Sequence, residues 1–237
     1  MLHQLITLDR KTKAKWLKRV THIAVWIPLV MLFMDFWFYR LGPDPIREVI
    51  LRTGEWSLII LLASLAVTPL NIIFGWKQLI PLRKVLGLYA FMYVCLHLLS
   101  FVGLDYQFAW AFIIPEITER YYILFGFTAF LILLPLAATS TKWAMRKLGK
   151  KWKRLHQWVY LAGILGIVHF ALSLKSAYTE PAIYGLILFF LLVVRLTPIK
   201  KRLSRLRHSN SHKSKLANRS NTKTQTLESK RLTSHSL

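Results

Sequence analysis

The sequence predicts an all-α protein, a bundle of six transmembrane helices with both termini cytoplasmic. Three observations carry this. Of 237 residues, 54% are hydrophobic and only 18% charged, whereas soluble domains average roughly 45–50% apolar and about 25% charged. Six apolar runs approach the ~20 residues that a helix needs to cross a bilayer. Lysine and arginine concentrate in alternate connections between those runs.

The first run, Thr21–Phe38, follows a basic cytoplasmic N-terminus (residues 1–20) containing Arg10, Lys11, Lys13, Lys15, Lys18 and Arg19. It lacks the small-residue cleavage site of a secretory leader, and Asp35, Trp37 and Tyr39 stand where one would lie, so it reads as a retained span. The second run is Trp56–Ile73, followed by Lys77, Arg83 and Lys84; the third is Val85–Leu104. The fourth, Tyr122–Thr139, precedes Lys142, Arg146, Lys147, Lys150, Lys151, Lys153 and Arg154. The fifth and sixth are Leu155–Leu174 and Pro181–Leu196. Backbone polar groups in hydrocarbon must bond within their own segment, which makes each run helical. Pro28, Pro69 and Pro135 predict kinks in three of them.

The intervening loops hold most of the acids (Asp44, Glu48, Glu55, Asp105, Glu116, Glu119 and Glu180) and few bases: Arg40, Arg47, Arg52, Arg120 and Lys175. Excess positive charge stays cytoplasmic, which orients the six spans of a transmembrane domain covering 21–197. Residues 198–237 are rich in Ser, Thr, Asn, Lys and Arg, a composition that predicts a disordered basic tail lying against anionic lipid. The formal charge of +23 follows from this topology and implies no nucleic-acid role. Cys95 is the only cysteine, so no intrachain disulfide forms. Neither a GxGxxG nor a GxxxxGK[ST] pattern is present, which excludes a nucleotide-binding domain of those types.

Histidines in hydrocarbon are costly and point to function. His97 falls in the outer half of the third span and His169 in the outer half of the fifth, at matching depth. His156 sits roughly 20 Å lower at 1.5 Å per residue, near the cytoplasmic surface. Ala90 and Tyr93 share a face with His97, and Ala162 and Gly166 share one with His169. Small residues there leave room for a porphyrin, and they equally permit close helix packing. Two imidazoles at one height suit a six-coordinate haem b centre made for electron transfer. The competing reading has them hydrogen-bonding across the bundle or relaying protons. A second haem on His156 would need a partner, for which His22 is the one candidate at suitable depth. His3, His208, His212 and His235 read as solvated.

The segments LAVTPL (Leu65–Leu70), PLRKVLGLYAFMYVCLH (Pro81–His97), LAATS (Leu136–Ser140) and RKLGKKWKRLHQWVYLAGILGIVHF (Arg146–Phe170) resemble the MsrQ (YedZ) family. That family supplies the haem-binding membrane subunit of the periplasmic methionine sulfoxide reductase system and lies within the ferric-reductase-like superfamily. The resemblance covers roughly residues 15–197. It implies a bacterial inner-membrane cytochrome b that also uses FMN, with haem histidines at His97, His156 and His169. Electrons would pass from the quinone pool, or a cytoplasmic flavin reductase, to a periplasmic molybdopterin enzyme that forms a heterodimer with it and reduces methionine sulfoxide in proteins. The chain would then be an electron-transfer subunit, carrying one haem b, or two if His156 also ligates. No motif places FMN on particular residues.

Where the family often has a basic pair after TPL, this chain has Asn71 and Ile72. Arg120-Tyr121-Tyr122 replaces the family's Arg-Pro-Tyr. Two further expectations concern single side chains: Tyr93 reads as an ordinary interfacial tyrosine, and Asp35 as the partner of Arg40. The rival functions are a general ferric-reductase-like electron carrier and, from another class, a proton-coupled transporter. Few ionisable groups lie in the spans and no pair of interrupted helices recurs across repeated halves, which argues against transport.

Overall fold

The computed structural model describes residues 10–174 and 179–196. The expected tail, His3, His208, His212, His235 and Lys175 lie outside the described residues. Among the described residues every regular element is helical. In chain order these are α1 (Arg10–Ala24), α2 (Ile27–Trp37), α3 (Pro45–Phe74), α4 (Leu82–Leu99), α5 (Trp110–Glu119), α6 (Tyr121–Ala138), α7 (Lys142–Leu148), α8 (Lys150–Leu155), α9 (Val159–Ser173) and α10 (Thr179–Val193).

Among the described residues, five stretches are long and apolar enough to cross a membrane: Thr12–Trp37, Pro45–Phe74, Leu82–Asp105, Tyr121–Ala138 and Lys150–Ser173. The sixth expected span falls on α10, an apolar helix of 15 residues that is shorter than these five. The first span is interrupted at Val25–Trp26. Pro28 opens α2 in the first turn, where a missing N–H costs nothing. Here the proline marks a restart between two helices. α3 begins eleven residues before the apolar run, because Asp44 caps it through Arg47 N–H (3.1 Å) and Pro45 follows at its first position. It ends on Gly75, whose φ of 73° closes the helix in the left-handed conformation that glycine adopts without steric cost. α5 was not expected from the sequence. It follows a π-helical turn (Ser100–Asp105) and a loop with Gln107 and Phe108 at positive φ.

α3 is the central element, with 50% of its apolar window buried. It packs chiefly on α4, while α6 packs chiefly on α9, and the two hairpins meet through α4–α6 and α3–α9 contacts. Leu65, Ala90, Tyr93, Ile113 and Ala162 are each 1% exposed. Phe33, Phe36, Trp37, Leu131, Phe189 and Phe190 are exposed, an apolar exterior suited to lipid. Chain direction sorts the helix ends. One end of the bundle joins Lys77, Arg83, Lys84, Lys142 and Arg154; the other joins Asp44, Asp105, Glu116 and Arg120.

Two side chains behave differently from expectation. Tyr93 is buried, and its hydroxyl donates to the Val25 carbonyl at 2.6 Å. The α1–α2 break frees that carbonyl, and a buried acceptor needs a donor. Asp35 pairs with Arg52 at 2.6 Å rather than Arg40, and Arg52 also meets Glu48 at 3.2 Å. The early start of α3 carries Arg52 up beside α2, while Arg40 turns onto the Phe38 ring.

Pro69 leaves another carbonyl open. In a helix Leu65 C=O would accept from residue 69, and proline has no N–H to give. Arg195 fills the gap: its guanidinium donates to the Leu65 carbonyl and to the Tyr160 hydroxyl. The segment after α10 is thereby tied to α3 and α9.

Candidate functional site

The site begins with two glycines. Gly54 on α3 and Gly126 on α6 stand mid-helix, where glycine is unfavourable by roughly 1 kcal/mol relative to alanine. Both are occupied by a ring in place of a side chain. A Cβ on Gly54 would fall 2.9 Å from His97 Nδ1, and one on Gly126 would fall 2.7 Å from His169 Nδ1. Each imidazole therefore lies flush against the backbone of the neighbouring helix.

One turn before each glycine, a backbone carbonyl receives the ring. His97 Nδ1 lies 2.8 Å from Ile50 O, and His169 Nδ1 lies 2.6 Å from Tyr122 O. Histidine and carbonyl are 47 residues apart in both cases, so the α3–α4 and α6–α9 hairpins deliver their imidazoles by the same device. A carbonyl only accepts, so Nδ1 carries the proton in both rings and Nε2 is left with its lone pair. This second-sphere arrangement fixes a metal-binding histidine's tautomer and orientation.

The two ring centroids lie 6.0 Å apart with their planes at 78°. An imidazole nitrogen sits about 2.0–2.1 Å from a bound metal and about 1.1 Å from its own ring centre, so two rings on opposite sides of one ion have centres about 6.2 Å apart. The observed spacing matches. Among the described residues no group of three or more His, Cys, Asp or Glu is placed to hold a metal ion. Zinc sites take three or four protein ligands, so a lone pair suits a metal that brings its own equatorial donors. The surrounding cavity of about 510 Å³ has the size of a cofactor site. Its walls include Gly54, Gly126, Gly166, Ala90, Ala162, Phe127 and Phe130, and it opens toward Asp105, Tyr106, Glu116 and Arg120. The residues fit a planar metal tetrapyrrole gripped from both faces.

A second cavity of about 610 Å³ shares those four mouth residues. Burial, reinforced by the Glu116 carboxylate, pushes the Tyr106 hydroxyl above its ordinary range. The Tyr122 hydroxyl and Glu116 hold Arg120 above its own. The Tyr122 ring also stacks on His169, at 6.1 Å and 28°.

The other two candidate histidines are built differently. His156 opens a 3₁₀ turn (His156–Trp158), with Nδ1 3.2 Å from Trp152 O on its own helix and Nε2 3.5 Å from Ser140 Oγ. Its ring stacks on Trp152 at 3.9 Å. His22 bonds the Tyr89 hydroxyl at 2.8 Å in an exposed setting. No ring contact or hydrogen bond among the described residues joins His22 to His156. Ile50, Gly54, Tyr122 and Gly126 were not singled out from the sequence. The legible signal was two glycines, Gly54 and Gly126, each the same distance ahead of a histidine.

Residues 50–167 match the family described as the ferric reductase like transmembrane component. The chain is similar to proteins named "Protein-methionine-sulfoxide reductase heme-binding subunit MsrQ". The one from Rhodospirillum rubrum is 46% identical over 181 residues, covering 76% of this chain and 87% of that protein. The one from Xanthomonas campestris pv. campestris is 44% identical over 201 residues, covering 82% and 91%. That of Xanthomonas oryzae pv. oryzae is 43% identical over 181 residues, covering 74% and 83%. No solved structure matches the chain.

Proposed function

Because the chain belongs to the MsrQ family, a family of multi-pass membrane proteins named as haem-binding subunits of protein-methionine-sulfoxide reductase, we propose that it is a bacterial inner-membrane cytochrome b. His97 and His169 are the residues that would hold its haem b. The observation that carries this reading is the imidazole pair, 6.0 Å apart, each ring bonded through Nδ1 to a backbone carbonyl. When bound, the group would supply a one-electron couple at iron, held between the two imidazoles. Ile50 and Tyr122 hold the rings in the ligating tautomer. Gly54 and Gly126 let them lie close, and the apolar walls exclude water from the centre.

The lysine- and arginine-rich end faces the cytoplasm by the positive-inside rule, with six spans including α10 and both termini inside. The acidic end, with the cavity mouth, then faces the periplasm. Electrons enter from the quinone pool or from a cytoplasmic flavin reductase. They leave to a periplasmic molybdopterin-containing subunit that reduces methionine sulfoxide in proteins, the two chains forming a heterodimer. Each electron moving outward gains roughly 2.3 kcal/mol per 100 mV of inside-negative potential. FMN is a second cofactor by family resemblance and is assigned to no residue. His156 serves the cytoplasmic side of the path, and it shares with His97 and His169 an Nδ1 bonded to a carbonyl; a second haem there would have His22 as its candidate partner.

Dithionite reduction of purified protein tests the reading. Sharp α and Soret bands of a bis-histidine haem are expected, together with reoxidation by the periplasmic subunit. A colourless preparation refutes it. The match of residues 50–167 to the ferric-reductase-like family favours a second reading, a general electron carrier to ferric chelates. Reoxidation by chelates alone, and not by a methionine sulfoxide reductase, would select it.

A further inference from the structure

The mouth of the imidazole cavity carries a charge that the ligand pair leaves unused. Around His97 and His169 the walls are mostly apolar or glycine, with Ser57 and Ser173 among them, yet Arg47 and Arg120 both line the cavity. Each lies at the N-terminal end of the helix that carries one of the ring-seating glycines, Arg47 on α3 and Arg120 just before α6. Arg47, Leu51 and Gly54 recur at helical spacing along one face of α3, and all three line the cavity. That face leads from the mouth to the His97 ring.

Most polar groups at the mouth are engaged. Glu116 pairs with Arg120, Glu55 accepts from the Tyr184 hydroxyl at 2.9 Å, and Asp44 caps α3 through the backbone N–H of Arg47. The Arg47 guanidinium has no hydrogen bond or ion pair among the described residues. A cation at the open end of a cavity built for a planar group is placed to receive that group's negative edge. A guanidinium fork matches a carboxylate geometrically.

We propose that Arg47, with Arg120 lining the same cavity, binds the carboxylates of the tetrapyrrole seated between His97 and His169. The inference rests on the haem reading above and adds an orientation: the carboxylate edge faces the acidic end and the apolar edge points into the bundle. Arg47 is a positioning residue that selects an anionic edge and leaves iron ligation to the histidines.

The test uses the full chain produced under haem starvation and titrated with haem b or with its dimethyl ester, whose carboxylates are masked. The wild-type chain should bind haem b at least about tenfold more tightly than the ester, the scale of one charge-assisted hydrogen bond. Arg47→Gln should abolish most of that preference while keeping bis-histidine bands, and Arg47→Lys should restore part of it. Equal wild-type affinity for haem and ester overturns the proposal, as does an Arg47→Gln chain that retains the full preference. The wild-type comparison stands without any variant having to fold. A wild-type chain with no bis-histidine spectrum at all would instead sink the haem reading itself, a separate result.

Discussion

The two ends of the bundle use histidine in opposite ways. At the acidic end, His97 and His169 come from different helices, lie against glycines on two further helices and hydrogen-bond to those helices' carbonyls. At the basic end, His156 bonds a carbonyl of its own helix and stacks on Trp152, four residues before it, while His22 reaches an exposed tyrosine hydroxyl. The first site is held by tertiary structure, so its geometry is as rigid as the packing of α3, α4, α6 and α9. At the basic end, His156 is held mainly by its own stretch of chain, and His22 by one exposed bond between α1 and α4. A ligand that must be gripped from both faces needs the first kind of support.

The largest break in this contrast comes from the ligands themselves. His97→Ala or His169→Ala should abolish the bis-histidine α and Soret bands of the dithionite-reduced protein, because a single remaining imidazole cannot make a bis-histidine centre. A normal spectrum in either variant would dissolve the distinction. Next come the glycines. Gly126→Ala should displace the His169 ring and cost about 1–3 kcal/mol, the usual scale of overpacking, with Gly54→Ala milder because its Cβ would meet His97 at 2.9 Å rather than 2.7 Å. Cofactor content and thermal midpoint check both. His156→Ala should spare the acidic-end spectrum and slow reduction from the cytoplasmic side; loss of the main bands would show the two ends to be one unit. The smallest effect belongs to Tyr93→Phe. It removes the bond to Val25 O and should cost about 1 kcal/mol of stability with the visible spectrum unchanged.

How much was legible follows the chemistry of each signal. Apolar runs and charge alternation mark spans because a bilayer imposes them residue by residue. The imidazole pair was legible because histidine is rare there and chain direction gave its depth. The carbonyls of Ile50 and Tyr122 were not, since a backbone acceptor has no side-chain signature. Asp35 was matched to Arg40 as its sequence neighbour. Arg52 takes that place because Asp44 and Pro45 start α3 early and carry its charged first turns alongside α2. Tyr93 looked interfacial from its type alone, while its burial depends on a helix break in a distant span. α5, only ten residues long, falls below the length at which a hydropathy pattern declares a span.

The bond from Arg195 to the Leu65 carbonyl has a bearing on biogenesis. The helix carrying Leu65 leaves the ribosome long before Arg195 does, so its oxygen must wait, unmet, through the insertion of every later span. Completion of the chain is what quiets it. A nascent protein cut short before Arg195 would carry a polar defect in its innermost helix, a flaw that membrane proteolysis can recognise.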